Sequence, residues 1–115
     1  MPGRRVTESF PDALIEPLRQ MGGDVAAARR ARRMTQDELA IRMNIARKTV
    51  INIEKGDPRV GFGAYLLAAW VMGLEGKMLE AFRPETDPEF QRQARLSQPR
   101  RVRRAPVSDF DDMTF

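Results

Sequence analysis

Residues 35–56, TQDELAIRMNIARKTVINIEKG, leave the chain little choice of local structure. Thr35 and Glu38 stand at capping-box spacing, hydroxyl to the Glu38 amide and carboxylate back to the Thr35 amide. Leu39, Ala40 and Met43 follow as one buried stripe. Asn44 falls where the backbone needs a residue tolerant of positive φ, a place more often taken by Gly. Ile45 is expected to pack inward. A second short helix then runs from about Arg47 to Lys55, with Val50 and Ile53 on its buried side and Gly56 as its C-cap. Pro58 prevents continuation.

Two short helices joined by so tight a break form a helix-turn-helix, whose second helix can enter the major groove of a duplex. The outer face of that second helix carries Arg47, Lys48, Thr49 and Asn52 and no apolar side chain.

The rest of the chain is organised around this pair. Residues 1–10 read as a flexible N-terminus. Residues 11–22 place Leu14, Ile15, Leu18 and Met21 at helical spacing, and Pro17 is expected to shorten or kink this leader helix. Gly22-Gly23 reads as a break, and Asp24 as the cap of a further helix from Val25 to about Arg33. The apolar side of that helix is Val25, Ala28 and Ala31 or the stem of Arg32, and Met34 then turns into the core. Phe62 to Met72 reads as a helix nearly apolar all round, so one side is free to face a partner. Trp70 is expected in the core, with a subunit interface as the sharper option. Gly73 ends this helix, and Gly76 to Phe82 forms a short fifth helix or turn. From Arg83 to Phe115 the sequence loses periodicity and reads as a largely disordered tail. That tail is basic over residues 95–104 and acidic over 108–115, where Phe110, Met113 and Phe115 are interleaved. The expected architecture is all-α: one compact domain over residues 11–82 followed by the tail.

Composition narrows the chemistry. The 115 residues include no Cys and no His, so there is no disulfide framework, no thiolate metal site and no histidine base. No nucleophile, base or metal constellation is visible, and neither an enzyme nor a cofactor is expected. No apolar run approaches a membrane span and the N-terminus has no apolar signal core, so a cytoplasmic protein without a membrane partner is expected. The net charge is +4, with 17 Arg against 3 Lys. Arg forks suit phosphate oxygens and the O6/N7 edge of guanine. Codon bias would produce the same Arg excess, so charge alone does not decide for nucleic acid.

Arg29, Thr35-Gln36, Glu38-Leu39-Ala40, Asn44 and Ile53-Glu54-Lys55-Gly56 together resemble the Cro/repressor-type (Xre) DNA-binding domain over about residues 24–80. The resemblance implies a compact five-helix domain that binds double-stranded DNA. It implies that Ala46, Arg47, Lys48, Thr49 and Asn52 face the bases, and that Arg29 pairs with Glu54 between the first helix and the end of the third. Ala46 departs from the family, which often has a Ser or Thr cap there; the missing acceptor costs about 1 kcal/mol. The flanks LEAFRPETDPE, RLSQPRRVRR and DFDDMTF are similar to the HipB-like antitoxins that pair with HipA-type serine/threonine kinases.

Site expectations follow. Arg47 could fork onto a guanine and Asn52 could pair with adenine. Gln36 opens a helix whose free amides and dipole suit a DNA phosphate. Arg29, through its remaining donors, and Arg59, just past the recognition helix, are further phosphate candidates. Arg30, Arg32 and Arg33 form either a solvated face or a source of sequence-blind affinity. A two-fold homodimer on a palindromic operator is expected, because it sets two recognition helices one DNA turn apart. In the tail, Phe110 and Phe115 would anchor a kinase toxin; a merely solubilising tail, or one whose Arg run tracks DNA backbone, are the other readings. The leading functional expectation is an autoregulating repressor and antitoxin. The alternatives are a stand-alone Xre-type regulator, of phage or restriction-modification controller type, and a protein-interaction module that does not bind DNA. No small-molecule ligand is expected.

Overall fold

The computed structural model describes residues 10–97, and among them every regular element is helical. In chain order these are α1 (Asp12–Ala31), α2 (Gln36–Met43), α3 (Arg47–Glu54), α4 (Phe62–Val71), α5 (Gly76–Leu79), a 3-10 turn (Pro84–Thr86) and α6 (Pro88–Leu96). The chain divides into two compact units, one ending at Ala81 and one beginning at Phe82. The first holds α1–α5.

The expected break at Gly22-Gly23 does not occur. The leader and the following helix are one 20-residue rod, with Pro17 and both glycines inside it and Asp24 exposed on its side rather than capping anything. Pro17 withholds one intrahelical donor, which is normally costly. Gly22 shows what offsets it. This residue is buried, and a Cβ there would lie 2.6 Å from the Gly56 nitrogen, 2.7 Å from the Ile53 oxygen and 2.8 Å from the Glu54 oxygen. The missing side chain lets α1 rest directly on the backbone that ends α3. Gly56 reciprocates: it adopts φ +70°, and a Cβ on it would strike the Leu18 oxygen and stand 2.6 Å from the Arg19 Cα. Gly23 has nothing within 4 Å of its Cβ position.

The core lies where α1, α2, α3 and α4 converge. It is built from Met34, Leu39, Ala40, Met43, Val50, Ile53, Tyr65, Ala68 and Met72, with Leu18, Val25, Ala28 and Ile45 packed against it. The stripes expected on α2 and α3 are thus the buried ones. Trp70 is not in this core; it is 62% exposed, and α4 turns Tyr65, Ala68 and Ala69 inward instead. The Tyr65 hydroxyl donates to the Asp57 carbonyl at 3.0 Å, so its polar end is satisfied at the edge of the core. Arg32, expected as part of a solvated or DNA-facing cluster, donates to the Met72 carbonyl at 3.1 Å and to the Ala28 carbonyl at 2.9 Å, tying the end of α1 to the end of α4.

Within residues 83–115, read from sequence as a largely disordered tail, the described part holds a 3-10 turn at Pro84–Thr86 and the helix α6 at Pro88–Leu96. Asp87 accepts from the Glu89 amide at 3.0 Å, Pro88 occupies the first turn, and Glu89 bonds Arg92 at 2.7 Å and Gln93 at 2.9 Å. Cap, N-terminal proline and i,i+3 and i,i+4 partners suffice to start a helix. Residues 1–9 and 98–115, and with them Phe110 and Phe115, lie outside the described residues.

Candidate nucleic-acid interface

The α2–α3 pair is held by local chemistry at each joint. The Thr35 hydroxyl accepts from the Glu38 amide at 3.0 Å, and the Glu38 carboxylate accepts from the Thr35 amide at 2.8 Å. Hydrogen bonding to the carboxylate, first from the Thr35 amide and then from the Thr35 side chain, holds the Glu38 carboxyl below the usual carboxylate range. Asn44 ends α2 in the left-handed region at φ 57°, ψ 46°, and the chain re-enters a helix three residues later. Ala46 takes the N-cap position of α3 without a side-chain cap bond, as its methyl group requires.

A three-helix network fixes the pair against α1. Arg29 Nε donates to Glu54 Oε2 at 2.7 Å and its Nη2 to Glu54 Oε1 at 3.1 Å, while Nη1 reaches the Met34 carbonyl at 2.8 Å. Gln36 Nε2 donates to the same Glu54 Oε1 at 3.0 Å. The two charged side chains are only 9% and 7% exposed. Burial would push the Glu54 carboxyl up, but the hydrogen bonds from Arg29 and Gln36 and the nearby positive charge outweigh it and hold the group low. The Glu54 hydrogen bond in turn raises the Arg29 guanidinium. The Arg29–Glu54 pair implied by the family resemblance is therefore present. Gln36 spends its amide on Glu54. Among the described residues no buried side-chain nitrogen or oxygen lacks a partner.

With Val50, Ile53 and the Glu54 carboxylate turned inward and Ile51 half-buried, α3 turns out chiefly its first turn and Asn52. Ala46, Arg47 and Lys48 are exposed, and Thr49 and Asn52 are half-buried beside them. Arg47 opens α3 and faces the start of α2: its Nε lies 3.7 Å from Asp37 Oδ1. Between them runs a shallow polar concavity lined by Arg29, Arg30, Met34, Thr35, Gln36, Asp37 and Arg47. The fold thus brings Gln36 and Arg47 to one hollow, with Arg30 as a further cation at its edge. Arg59 stands apart, 74% exposed at its side chain and forked onto Asp57 at 2.8–3.2 Å, which keeps the Asp57 carboxyl low.

Sequence reasoning missed Asp37 and Asp57, the two carboxylates that meet Arg47 and Arg59. Asp57 was within reach of it, because an Asp two residues before an Arg in a turn caps locally. Asp37 and Arg47 are ten positions apart and meet only once the turn at Asn44 is built. A second surface also emerges. Phe62, Trp70, Leu74 and Leu79 are each about half exposed or more, and a hollow of about 360 Å³ opens among Gly63, Leu66, Leu67, Trp70, Glu75 and Leu79.

No helix among the described residues is long and apolar enough to cross a membrane, and no group of three or more carboxylates there could hold a metal ion. No protein-family model, no curated protein and no solved structure matches the chain.

Proposed function

We propose that this chain is a Cro/repressor-type helix-turn-helix protein that binds a palindromic DNA operator as a homodimer. The observation that carries the reading is the division of α3: Val50 and Ile53 hold one side in the core, while Arg47, Lys48, Thr49 and Asn52 leave a polar outer face beside the cation-rimmed start of α2. A short helix fixed at both ends and polar on its outer side suits major-groove readout. Arg47 and Asn52 are assigned to base edges, with Ala46, Lys48 and Thr49 alongside. The start of α2 at Gln36, through its free backbone amides and not the side chain already bonded to Glu54, is assigned to phosphate together with Arg30 and Arg59. Arg29 keeps a structural part, since three of its donors are engaged within the protein.

A second copy is the occupant assigned to the apolar face of α4 and α5. An eight-residue α3 spans few base pairs, and pairing two copies doubles the surface that meets the duplex. Trp70 and Leu79 would be central to that interface.

Enrichment from a pool of randomised duplexes tests the DNA reading. A recurrent palindromic sequence is expected, with binding lost in the Arg47→Ala/Asn52→Ala double variant. Enrichment of no sequence at low salt overturns it. Trp70→Glu should shift the mass in solution from dimer to monomer.

The antitoxin role is the finer part of the proposal, and it rests on the layout of the tail sequence. Co-expression with a HipA-type kinase should yield a complex and relieve growth arrest. Deleting residues 98–115 should abolish neutralisation while operator binding persists. A stand-alone regulator predicts that the same deletion changes nothing.

A further inference from the structure

Arg47 is the side chain on which base reading most depends, and it is the one on α3 with an acidic neighbour. The Asp37 carboxylate approaches the Nε flank of its guanidinium, at 3.7 Å, with both side chains more than half exposed. An exposed ion pair of this length adds little to folding stability, about 0–1 kcal/mol. A negative charge on a surface meant for phosphate also weakens sequence-blind attraction. Neither the strength of this ion pair nor attraction to phosphate accounts for an Asp placed beside Arg47.

Geometry does. Asp37 sits in the first turn of α2, where the capping box immobilises the backbone and the helix dipole favours a carboxylate. Its backbone is therefore fixed, and its carboxylate kept near Arg47, before any ligand arrives. The carboxylate draws the Nε side of the guanidinium toward it, at ion-pair and not hydrogen-bond distance, while the terminal Nη1 and Nη2 have no hydrogen-bond partner among the described residues. Those two donors are the edge that forks onto guanine O6 and N7. An Arg side chain held in one orientation loses less freedom on binding and tolerates fewer base edges.

We propose that Asp37 is a positioning residue for Arg47, restricting its guanidinium to one base pair of the operator. This rests on the DNA-binding reading above and names a specificity determinant for the same face. The pair gains strength as the duplex excludes water from it, because a charge pair interacts more strongly at lower local dielectric.

The test uses the full chain and two duplexes, the sequence enriched from the randomised pool and a scrambled version of it. For Asp37→Ala the affinity for the scrambled duplex should rise, since a charge facing phosphates is gone. The ratio of enriched to scrambled affinity should fall by about tenfold, with the loss confined to one base pair per half-site. Asp37→Asn, which keeps an acceptor beside Nε, should recover part of the ratio. In an Arg47→Ala background Asp37→Ala should leave the ratio unchanged. If both affinities rise by the same factor, Asp37 is only an electrostatic brake and the proposal is overturned. That result leaves the DNA reading intact, whereas a wild-type chain that prefers no duplex removes both.

Discussion

The α2–α3 pair and α1 obey different rules. In the pair, three of the four boundaries are written in their own few residues: a capping box at Thr35, a left-handed Asn44, a left-handed Gly56; only the start of α3 at Ala46 lacks a side-chain cap. In α1 the local residues argue for interruption at Pro17 and again at Gly22-Gly23, and the helix runs through both. The difference is what each segment touches. Short-range signals decide where the chain has no competing long-range contact. They are overruled where a glycine, helix-weakening by itself, becomes the only residue that lets two backbones meet.

The largest expected effect probes the network joining the two regions. Glu54→Ala leaves a buried guanidinium unpaired and should cost about 3–5 kcal/mol in urea unfolding. The same residue makes stability depend on acid. Its carboxyl is held low in the folded state, so its contribution is complete above the ordinary Glu value of about pH 4.3 and fades as pH falls through the depressed one. The stability gap between wild type and Glu54→Gln should accordingly narrow on acidification from pH 7 to pH 3.

The next experiment sets α1's two glycines against each other. Helix propensity alone predicts that either Gly→Ala change stabilises by about 1 kcal/mol. Gly23→Ala should do so, having open space around it. Gly22→Ala should instead destabilise by about 1–3 kcal/mol, because its methyl group meets backbone that cannot swing aside. Equal thermal shifts from the two variants would break the contrast between local and long-range control.

Smaller effects sharpen the local side. Thr35→Ala should lose about 1 kcal/mol with the capping box. Arg33 and Asn44 both hold a left-handed backbone, at φ 59° and 57°. Arg33→Gly should gain about 0.5 kcal/mol, the difference between left-handed strain and glycine's unfolded freedom. Asn44→Gly should be close to neutral, since Asn already tolerates that region. Melting curves of the two single variants distinguish them.

Legibility in the sequence follows the same division. The buried residues of α2 and α3, the turn at Asn44 and the helical nature of residues 62–71 could all be read from spacing and caps. The Arg29–Glu54 pair came through family resemblance, because nothing in a separation of 25 positions reveals it. Trp70 was misplaced for a physical reason: α4 is apolar on nearly every side, so periodicity could not say which side faces inward. Tyr65, with a hydroxyl to satisfy, found its acceptor at Asp57 and took the inner position. The helix at Pro88–Leu96 was legible in Asp87-Pro88-Glu89, but the surrounding charged and Gln-rich composition masked it. Of the candidate interface, α3's outer face was visible in the sequence, while the carboxylates beside Arg47 and Arg59 required the folded turn.

Glu54 accepts hydrogen bonds from two helices while belonging to a third. No one of the three can peel away without stranding a charge or an amide that the other two also need. Slow amide exchange along all three should therefore share a single opening energy, so that the outer face of α3 is presented whole or not at all.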